Sequence, residues 1–510
     1  MTSNRKFDII ITGGGIAGFT AATILQKYFK KKTALVTGVH PADGEVPLDL
    51  FSASLYTGQM ETESIARRIF DWITEGKATW ERLPSIYERH FYPGRKINLS
   101  DNLAHYMDAL KEGFPKERGN VDLIFRDIQH AANYTSYYLM KLVLPPILHG
   151  VSERFFASGK RYAGSSFEEY LSTMTENGRF KQLLSGQLQN LASCRESTAF
   201  IFQSMNMMDF LNGAFAPTGG PATVYRRLAE GYISAGGTLL EGTVSGVDAS
   251  TNKINALHFI DNSGKEHHLK SKRFIWGLGI TSLHEKVKNE KVRQRLVSFA
   301  GITEHMPHPV VYEVELNEKF RELNIKGEVF RFFPDEKVAP DEIPQCVSLY
   351  PVFSEVSGEQ FPEKYIAVVF ISGESVQQFF PSDKEIYDLK GYVTEMIKLY
   401  QPKLAAAIGE VRHKKPGRFG PNGYLNPFGT AMPSASRARG RMRKNPWKLS
   451  NVYLTDADLF IPGAVGSVMS GVTTVGMVMG PFPFFKFFRY LKRESKKVVK
   501  IKIKPLKYKK

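Results

Sequence analysis

Apolar positions open the chain in compact blocks. Phe7–Thr12 is a short apolar strand, and Gly13-Gly14-Gly15-Ile16-Ala17-Gly18 follows at once. Small and apolar residues then run at helical spacing over about 15–29, and Thr33–Thr37 reads as a second strand. Together these elements predict the βαβ opening of a dinucleotide fold. From 61 to about 200 the pattern turns mostly helical, with Ser64-Ile65-Ala66-Arg67-Arg68-Ile69-Phe70 as one amphipathic piece. A further helix is expected over 222–235, closed by Gly236-Gly237 and followed by a strand over 238–247. Residues 253–274 alternate about Asn262-Ser263-Gly264, the signature of a β-hairpin. Residues 310–402 mix strands and helices without a nameable motif, and 451–455 form a strand before a glycine-rich segment and a last helix.

The first glycines have separable physical tasks. Gly13 permits a tight turn out of the strand, Gly15 lets the backbone approach a pyrophosphate, and Gly18 lets helix and strand pack closely. The helix start offers free N–H groups to the phosphates. The second strand of such folds commonly ends in Asp or Glu, which accepts hydrogen bonds from ribose hydroxyls. Here it ends Leu35-Val36-Thr37-Gly38, with no acid until Asp43 and Glu45. A ribose contact then falls to Thr37, to a residue further on, or to none.

Length and composition narrow the class. The chain has 510 residues, enough for two or three domains. Hydrophobic residues at 42% and charged residues at 23% match soluble globular proteins and exclude a mostly disordered, collagen-like or polytopic membrane chain. Two cysteines, Cys194 and Cys346, stand far apart, which argues against a disulfide framework or a zinc knuckle. The N-terminus runs into an apolar strand with no leader-like stretch, so a reducing, cytoplasmic setting is expected.

Charge is uneven. The net +17 concentrates in 486–510, where 12 Lys and Arg meet one acid, Glu494; the rest of the chain is only +6. Phe482, Phe484, Phe485, Phe487, Phe488, Tyr490 and Leu491 crowd the segment before the lysines. Such an aromatic-basic tail, 481–510, is expected to bind an anionic membrane surface as a peripheral anchor, with a merely solubilising lysine tail as the plain alternative. Nucleic acid is not expected, because the bulky residues precede the lysines and are not interleaved as stacking platforms.

Several segments leave two readings open. Residues 459–485 carry no charge over 27 positions, long enough for a membrane span, yet their glycines and prolines favour a buried loop and helix. Residues 137–148 are too short to span a bilayer and read either as core or as a helix dipping into one leaflet. Arg437, Arg439, Arg441 and Arg443 read as a solvated basic loop more readily than as a phosphate site. His267-His268 lacks partner ligands, and no metal is expected. Asn133-Tyr134-Thr135 matches a glycosylation acceptor in a chain with no secretory signal.

Three sets of landmarks carry a resemblance. The opening glycines, Phe202-Gln203-Ser204-Met205-Asn206 with Gly213-Ala214-Phe215-Ala216-Pro217-Thr218-Gly219-Gly220, and Leu454-Thr455-Asp456-Ala457-Asp458-Leu459-Phe460-Ile461-Pro462-Gly463-Ala464-Val465-Gly466 resemble the retinol saturase and carotenoid (phytoene) desaturase–isomerase family. Gly58-Gln59-Met60-Glu61 through Ile73-Thr74-Glu75-Gly76 resembles the retinol saturase branch. The resemblance implies an FAD-dependent oxidoreductase acting on polyene isoprenoids, a retinoid or carotenoid class, at a membrane. It assigns FAD contacts to Gly13, Gly14, Gly15, Ile16, Ala17 and Gly18 at the pyrophosphate, to the Val244 backbone at the adenine, and to Asp458 at the ribityl–pyrophosphate part. Pro462, Gly463, Val465 and Gly466 would pass near the isoalloxazine ring. NAD(P)H is a candidate electron donor, and no residue pair nominates a catalytic acid or base. The chain departs from the family at the acid missing after the second strand, at a shortened link over 38–49, and at Asp456, where glycine is common.

The expected fold class is α/β: a discontinuous Rossmann-type FAD-binding domain over 1–57, 200–285 and 447–480, with an inserted α+β substrate domain over 58–199 and 286–446. The expected partner is an apolar polyene or lipid substrate. The alternative is a non-catalytic lipid- or prenyl-binding escort protein on a degenerate flavoprotein scaffold.

Overall fold

The protein is described from a computed structural model over residues 6–38, 55–186, 198–300, 308–334, 346–355, 361–371, 389–413, 448–455 and 463–502. Its strands, in chain order, begin with β1 (Phe7–Thr12), β2 (Thr33–Thr37), β3 (Trp80–Arg82), β4 (Ile86–Tyr92), β5 (Arg95–Ser100) and β6 (Phe215–Pro217). They continue with β7 (Thr238–Ser250), β8 (Lys253–Asp261), β9 (Glu266–Leu269), β10 (Ser271–Trp276) and β11 (His308–Leu316). The last are β12 (Val329–Phe332), β13 (Val347–Val352), β14 (Lys364–Ile371), β15 (Ile408–His413) and β16 (Val452–Leu454). The helices that matter here are α1 (Ile16–Thr23), α2 (Ile65–Ile73), α3 (Arg118–Val143), α4 (His149–Arg154) and α5 (Phe200–Asp209). After them come α6 (Gly220–Ser234), α7 (Leu389–Tyr400), α8 (Ala464–Met479) and α9 (Pro481–Lys502).

The first sheet has the order β16-β10-β1-β2-β7-β8-β9. Its β16, β10, β1 and β2 run parallel, and β7 joins β2 in parallel as far as Glu241 opposite Thr37. Ile9, Ile10 and Ile11 of β1 are all buried, as a central strand covered on both faces requires. The hairpin expected over 253–274 ends at Leu269. Phe274, Ile275 and Trp276 are consecutively buried, and that unbroken apolar run lies in parallel beside β1 rather than alternating in a hairpin.

A second sheet, β15-β11-β14-β13-β12-β4-β5, is antiparallel except where β12 meets β4. Strands β3, β4 and β5 fall inside the stretch that reads as mostly helical. Pro93 and Gly94 (φ +69°) turn β4 back into β5, and the turn stops any helix there. One face of this sheet, with Tyr312, Val314, Phe330 and Phe332, is covered by Val393, Met396 and Ile397 of α7. The other face, with Val311, Val329, Tyr350, Ile366 and Val368, belongs to the large core shared with α3 and α5.

The uncharged segment over 459–485 is not a single span. Helix α8 is buried, packs on α1 and α3, and is terminated by Gly480 (φ +90°) before α9 begins. Among the described residues no helix is long and apolar enough to cross a membrane. Helix α9 continues as structure rather than as a loose tail: Phe487 and Leu491 are buried, and Tyr28 lies 5.0 Å from both Phe487 and Tyr490. Trp72 of α2 closes the other side, 5.5 Å from Phe487.

Candidate functional site

The carboxyl ends of β1, β10 and β16 converge, which is where open α/β sheets bind ligands. Gly277 N–H donates to Thr12 O at 2.9 Å, Thr455 N–H to Trp276 O at 3.0 Å, and Gly13 N–H to Val36 O at 3.0 Å. Gly13 adopts φ +93°, and a Cβ there would lie 2.6 Å from Gly277 O. A Cβ on Gly18 would meet Gly13 O at 2.1 Å, and one on Gly14 would meet Thr37 Oγ1 at 2.4 Å. The loop therefore folds this tightly only with glycine at those positions. Gly15 differs: as N-cap of α1 it has φ −70° and ψ 173°, an extended backbone open to any residue.

The first turn of α1 contains no acid and receives no side-chain cap. Its first N–H groups thus lack intrahelical partners and carry the positive end of the helix dipole. A side-chain-free cradle leading to uncapped N–H groups fits the pyrophosphate of a dinucleotide such as FAD.

The ribose side is built differently. Thr37 is buried, and its Oγ1 lies 2.9 Å from the Tyr225 hydroxyl of α6. Thr37 is tied into the packing of α6 and supplies no carboxylate. Val244 lies three residues past the Thr37–Glu241 register, on the same carboxyl edge, with its side chain in the core beside a bulge. Gly463 takes φ +106° at the start of α8, followed by buried Val465 and Gly466. Gly471 sets α8 directly on α1, since a Cβ there would be 2.6 Å from Ala17 O. Thr474 Oγ1 donates to Leu454 O at 3.0 Å, fastening α8 to the end of β16. Asp458 and Pro462 lie outside the described residues, as do Arg437, Arg439, Arg441 and Arg443.

A second cluster escapes sequence reasoning. Glu88, His90 and Arg331 are fully buried on the inner face of the second sheet. Arg331 donates to Glu88 through Nε and to Ser348 Oγ at 2.8 Å, and His90 Nε2 lies 3.2 Å from Glu88 Oε1. The Tyr56 hydroxyl reaches Glu88 at 3.3 Å. Burial alone would raise the Glu88 carboxyl, but the adjacent Arg331 guanidinium and His90 hold it down at about 2. Phe210, after α5, stacks on Tyr56 at 5.0 Å and on Tyr87 at 5.4 Å. Beside it Gln59 (φ +51°) donates to Asp209, whose carboxyl burial pushes up to about 8. The signals were present: a charge inside an apolar strand at Val329-Phe330-Arg331-Phe332, and Glu88-Arg89-His90 in a strand of aromatics. On α5, Asn206 Nδ2 donates to Gln203 Oε1 at 3.3 Å, so this motif supports the helix from within.

His267 pairs with Asp261 at 2.6 Å across its hairpin. No group of three or more metal-ligating side chains occurs among the described residues. Asn133 falls within α3.

No protein-family model matches the chain. It is 22% identical to an all-trans-retinol 13,14-reductase of Danio rerio, over 93% of this chain and 86% of that protein. The Macaca fascicularis protein of the same name is 26% identical, but the match takes in 46% of this chain and only 41% of the macaque protein. A Danio rerio protein named an inactive all-trans-retinol 13,14-reductase is 20% identical over 93% of this chain. Among solved structures, a putrescine oxidase variant superposes with a TM-score of 0.58 at 14% identity, covering 93% of this chain and 99% of that one. The last likeness concerns the fold alone. The chain is thus a homologue of the all-trans-retinol 13,14-reductases, the retinol saturases, built on the fold of FAD-dependent oxidoreductases.

Proposed function

We propose that this protein uses FAD to reduce, desaturate or isomerise a carbon–carbon double bond of a retinoid-like polyene at a membrane surface, reduction being the direction in the names of its relatives. The observation that carries the reading is the glycine cradle between β1 and α1, in a chain similar to a retinol reductase along nearly its whole length. The flavin supplies hydride transfer when bound; NAD(P)H is the proposed donor. The chain's own part is to hold and shield. Gly13, Gly14 and Gly18 keep side chains out of the pyrophosphate path, and the α1 N–H groups neutralise its charge. Gly463, Val465 and Gly466 at the start of α8 would hold the ring, and Val244 and Asp458 would hold the adenine and the ribityl–pyrophosphate part. The inner face of the second sheet is largely apolar, with Val311, Val329, Tyr350, Ile366 and Val368, and its Glu88 and Arg331 are paired with each other, which suits an apolar substrate rather than an amine.

Incubation of the flavin-loaded protein with retinoids and carotenoids, under reducing and oxidising conditions, tests the reading by chromatography. Turnover of a polyene supports it, and rapid turnover of a polar amine with no polyene turnover overturns it. The escort reading draws on two observations: Thr37 replaces the ribose carboxylate, and one full-length relative is named inactive. A protein that retains retinoid without flavin would establish it.

A further inference from the structure

The described surface has an unusual concentration of exposed apolar side chains just after α3. Ile147 is 85% exposed, Val151 63% and Phe155 80%, with Leu148 at 45%. Ile147 stands in the 3-10 turn before α4, Val151 within α4 and Phe155 just after it, so exposed apolar side chains run the length of this elbow. They are not alone. Val143, at the end of α3, and Phe484, in the first turn of α9, both press on Gly476, where a Cβ would lie 2.9 Å from one and 2.7 Å from the other. The exit of α3 and the start of α9 therefore leave the body at the same place. Phe482 there is 87% exposed, and Phe485 also faces outward.

We propose that the α3–α4 elbow and the first turn of α9 form one membrane-docking surface, with the elbow's apolar side chains seated at the headgroup–acyl boundary of an anionic bilayer. The proposal rests on the membrane clause of the function above and relocates its apolar anchor. Most of the aromatic run in α9 is spent inside the protein: Phe487 and Leu491 are buried, and Phe484, Phe488 and Tyr490 pack against the core. The elbow, Phe482 and Phe485 are what remain for lipid.

Charge favours lipid over a second copy of the chain. Lys486, Arg489, Lys492 and Arg493 are exposed on α9, and Arg154 and Lys160 flank the elbow. The acid on the elbow, Glu153, already lies 3.2 Å from Lys160 Nζ. A two-fold contact through this face would set basic residues against basic residues, whereas an acidic leaflet complements them.

The test uses the full chain with phosphatidylcholine vesicles, with and without phosphatidylserine, read by co-sedimentation. One variant combines Ile147→Ser, Val151→Ser and Phe155→Ser; another combines Lys486→Gln and Arg489→Gln. These side chains are exposed, so melting temperature and flavin absorbance should stay at the parent values. The intact protein is expected to pellet with the acidic vesicles, the elbow variant to lose roughly tenfold or more in partitioning, and the charge variant to show a weaker preference for phosphatidylserine than the parent. The proposal is overturned if the intact protein stays in the supernatant, or if the elbow variant pellets as fully as the parent. It is equally overturned if the elbow variant instead changes from dimer to monomer in lipid-free buffer, which would make the face a contact between copies. A colourless protein that still pellets would sink the flavin reading and leave the docking surface standing.

Discussion

Gly15 and Gly18 stand three positions apart and carry different burdens. A side chain at Gly18 collides with Gly13 O whatever its rotamer, so Gly18→Ala should destabilise the protein by about 1–3 kcal/mol as well as weaken flavin binding. Gly15 has a backbone any residue adopts, so Gly15→Val should abolish flavin retention and lower the melting temperature chiefly by the lost flavin stabilisation, melting near the flavin-free parent. Thermal melts read beside flavin absorbance separate the two effects. Asp209 offers a second test. Burial holds its carboxyl at about 8, against the Gln59 amide that lowers it and with Glu61 raising it further. An unfolded aspartate titrates near ~3.9. Between those values the folded state binds the extra proton, so this group's stabilisation falls as pH rises from about 4 to about 8. Urea melts across that range should show the slope in the parent and its loss in Asp209→Asn. Glu88 runs the other way: held low by Arg331 and His90, it stabilises above the ordinary carboxylate range and loses that contribution as pH falls toward about 2. Glu88→Gln leaves Arg331 buried without its counter-charge and should cost about 3–5 kcal/mol in the same melts at neutral pH. Neither acid is nominated by the sequence, because a charge in an otherwise apolar strand or at a helix end shows no partner until the elements pack together. The glycine loop was legible, because its constraint is local.

At the scale of elements, β1, α1, β2, α2 and α6 were readable from periodicity and caps; Ser64, for instance, accepts from Arg67 N–H as the N-cap of α2. The β4–β5 hairpin was not, because Glu88, Arg89 and His90 break the apolar alternation that marks a strand. Their polarity makes sense only once Arg331 and Glu328 lie on the adjacent β12 side, with Arg89 2.5 Å from Glu328. The C-terminal helix shows the same limit. Its aromatic run suggests lipid, but three-dimensional packing places Phe487 against Tyr28 and Trp72 and buries Leu491 in the core. Phe487→Ala should therefore cost about 3–5 kcal/mol, as for any large buried aromatic. It should also release α9, so that limited proteolysis cuts the chain after Gly480 while the parent resists. Equal resistance of the two would show that α9 is not held by this contact.

At the scale of the molecule, two seven-stranded sheets divide the work. The mostly parallel sheet presents its carboxyl edge, with the glycine cradle and the α1 N-terminus. The mostly antiparallel sheet turns an apolar face, with its buried charges paired internally, toward α3 and α5. Helix α6 connects them: Gly219 N–H at its N-cap donates to Phe353 O at 2.7 Å, and further along Tyr225 and Tyr232 bond Thr37 and Thr33 of β2, each at 2.9 Å. This division of labour depends on a flavin at the sheet edge, and Thr37 marks the place where the edge departs from the usual ribose contact. The direct measurement is the visible spectrum of the purified full chain, taken after reconstitution with FAD and gel filtration. The account predicts a flavin band that co-elutes with the protein at about one flavin per chain and disappears in Gly15→Val. A folded, monodisperse parent protein that emerges colourless would contradict it.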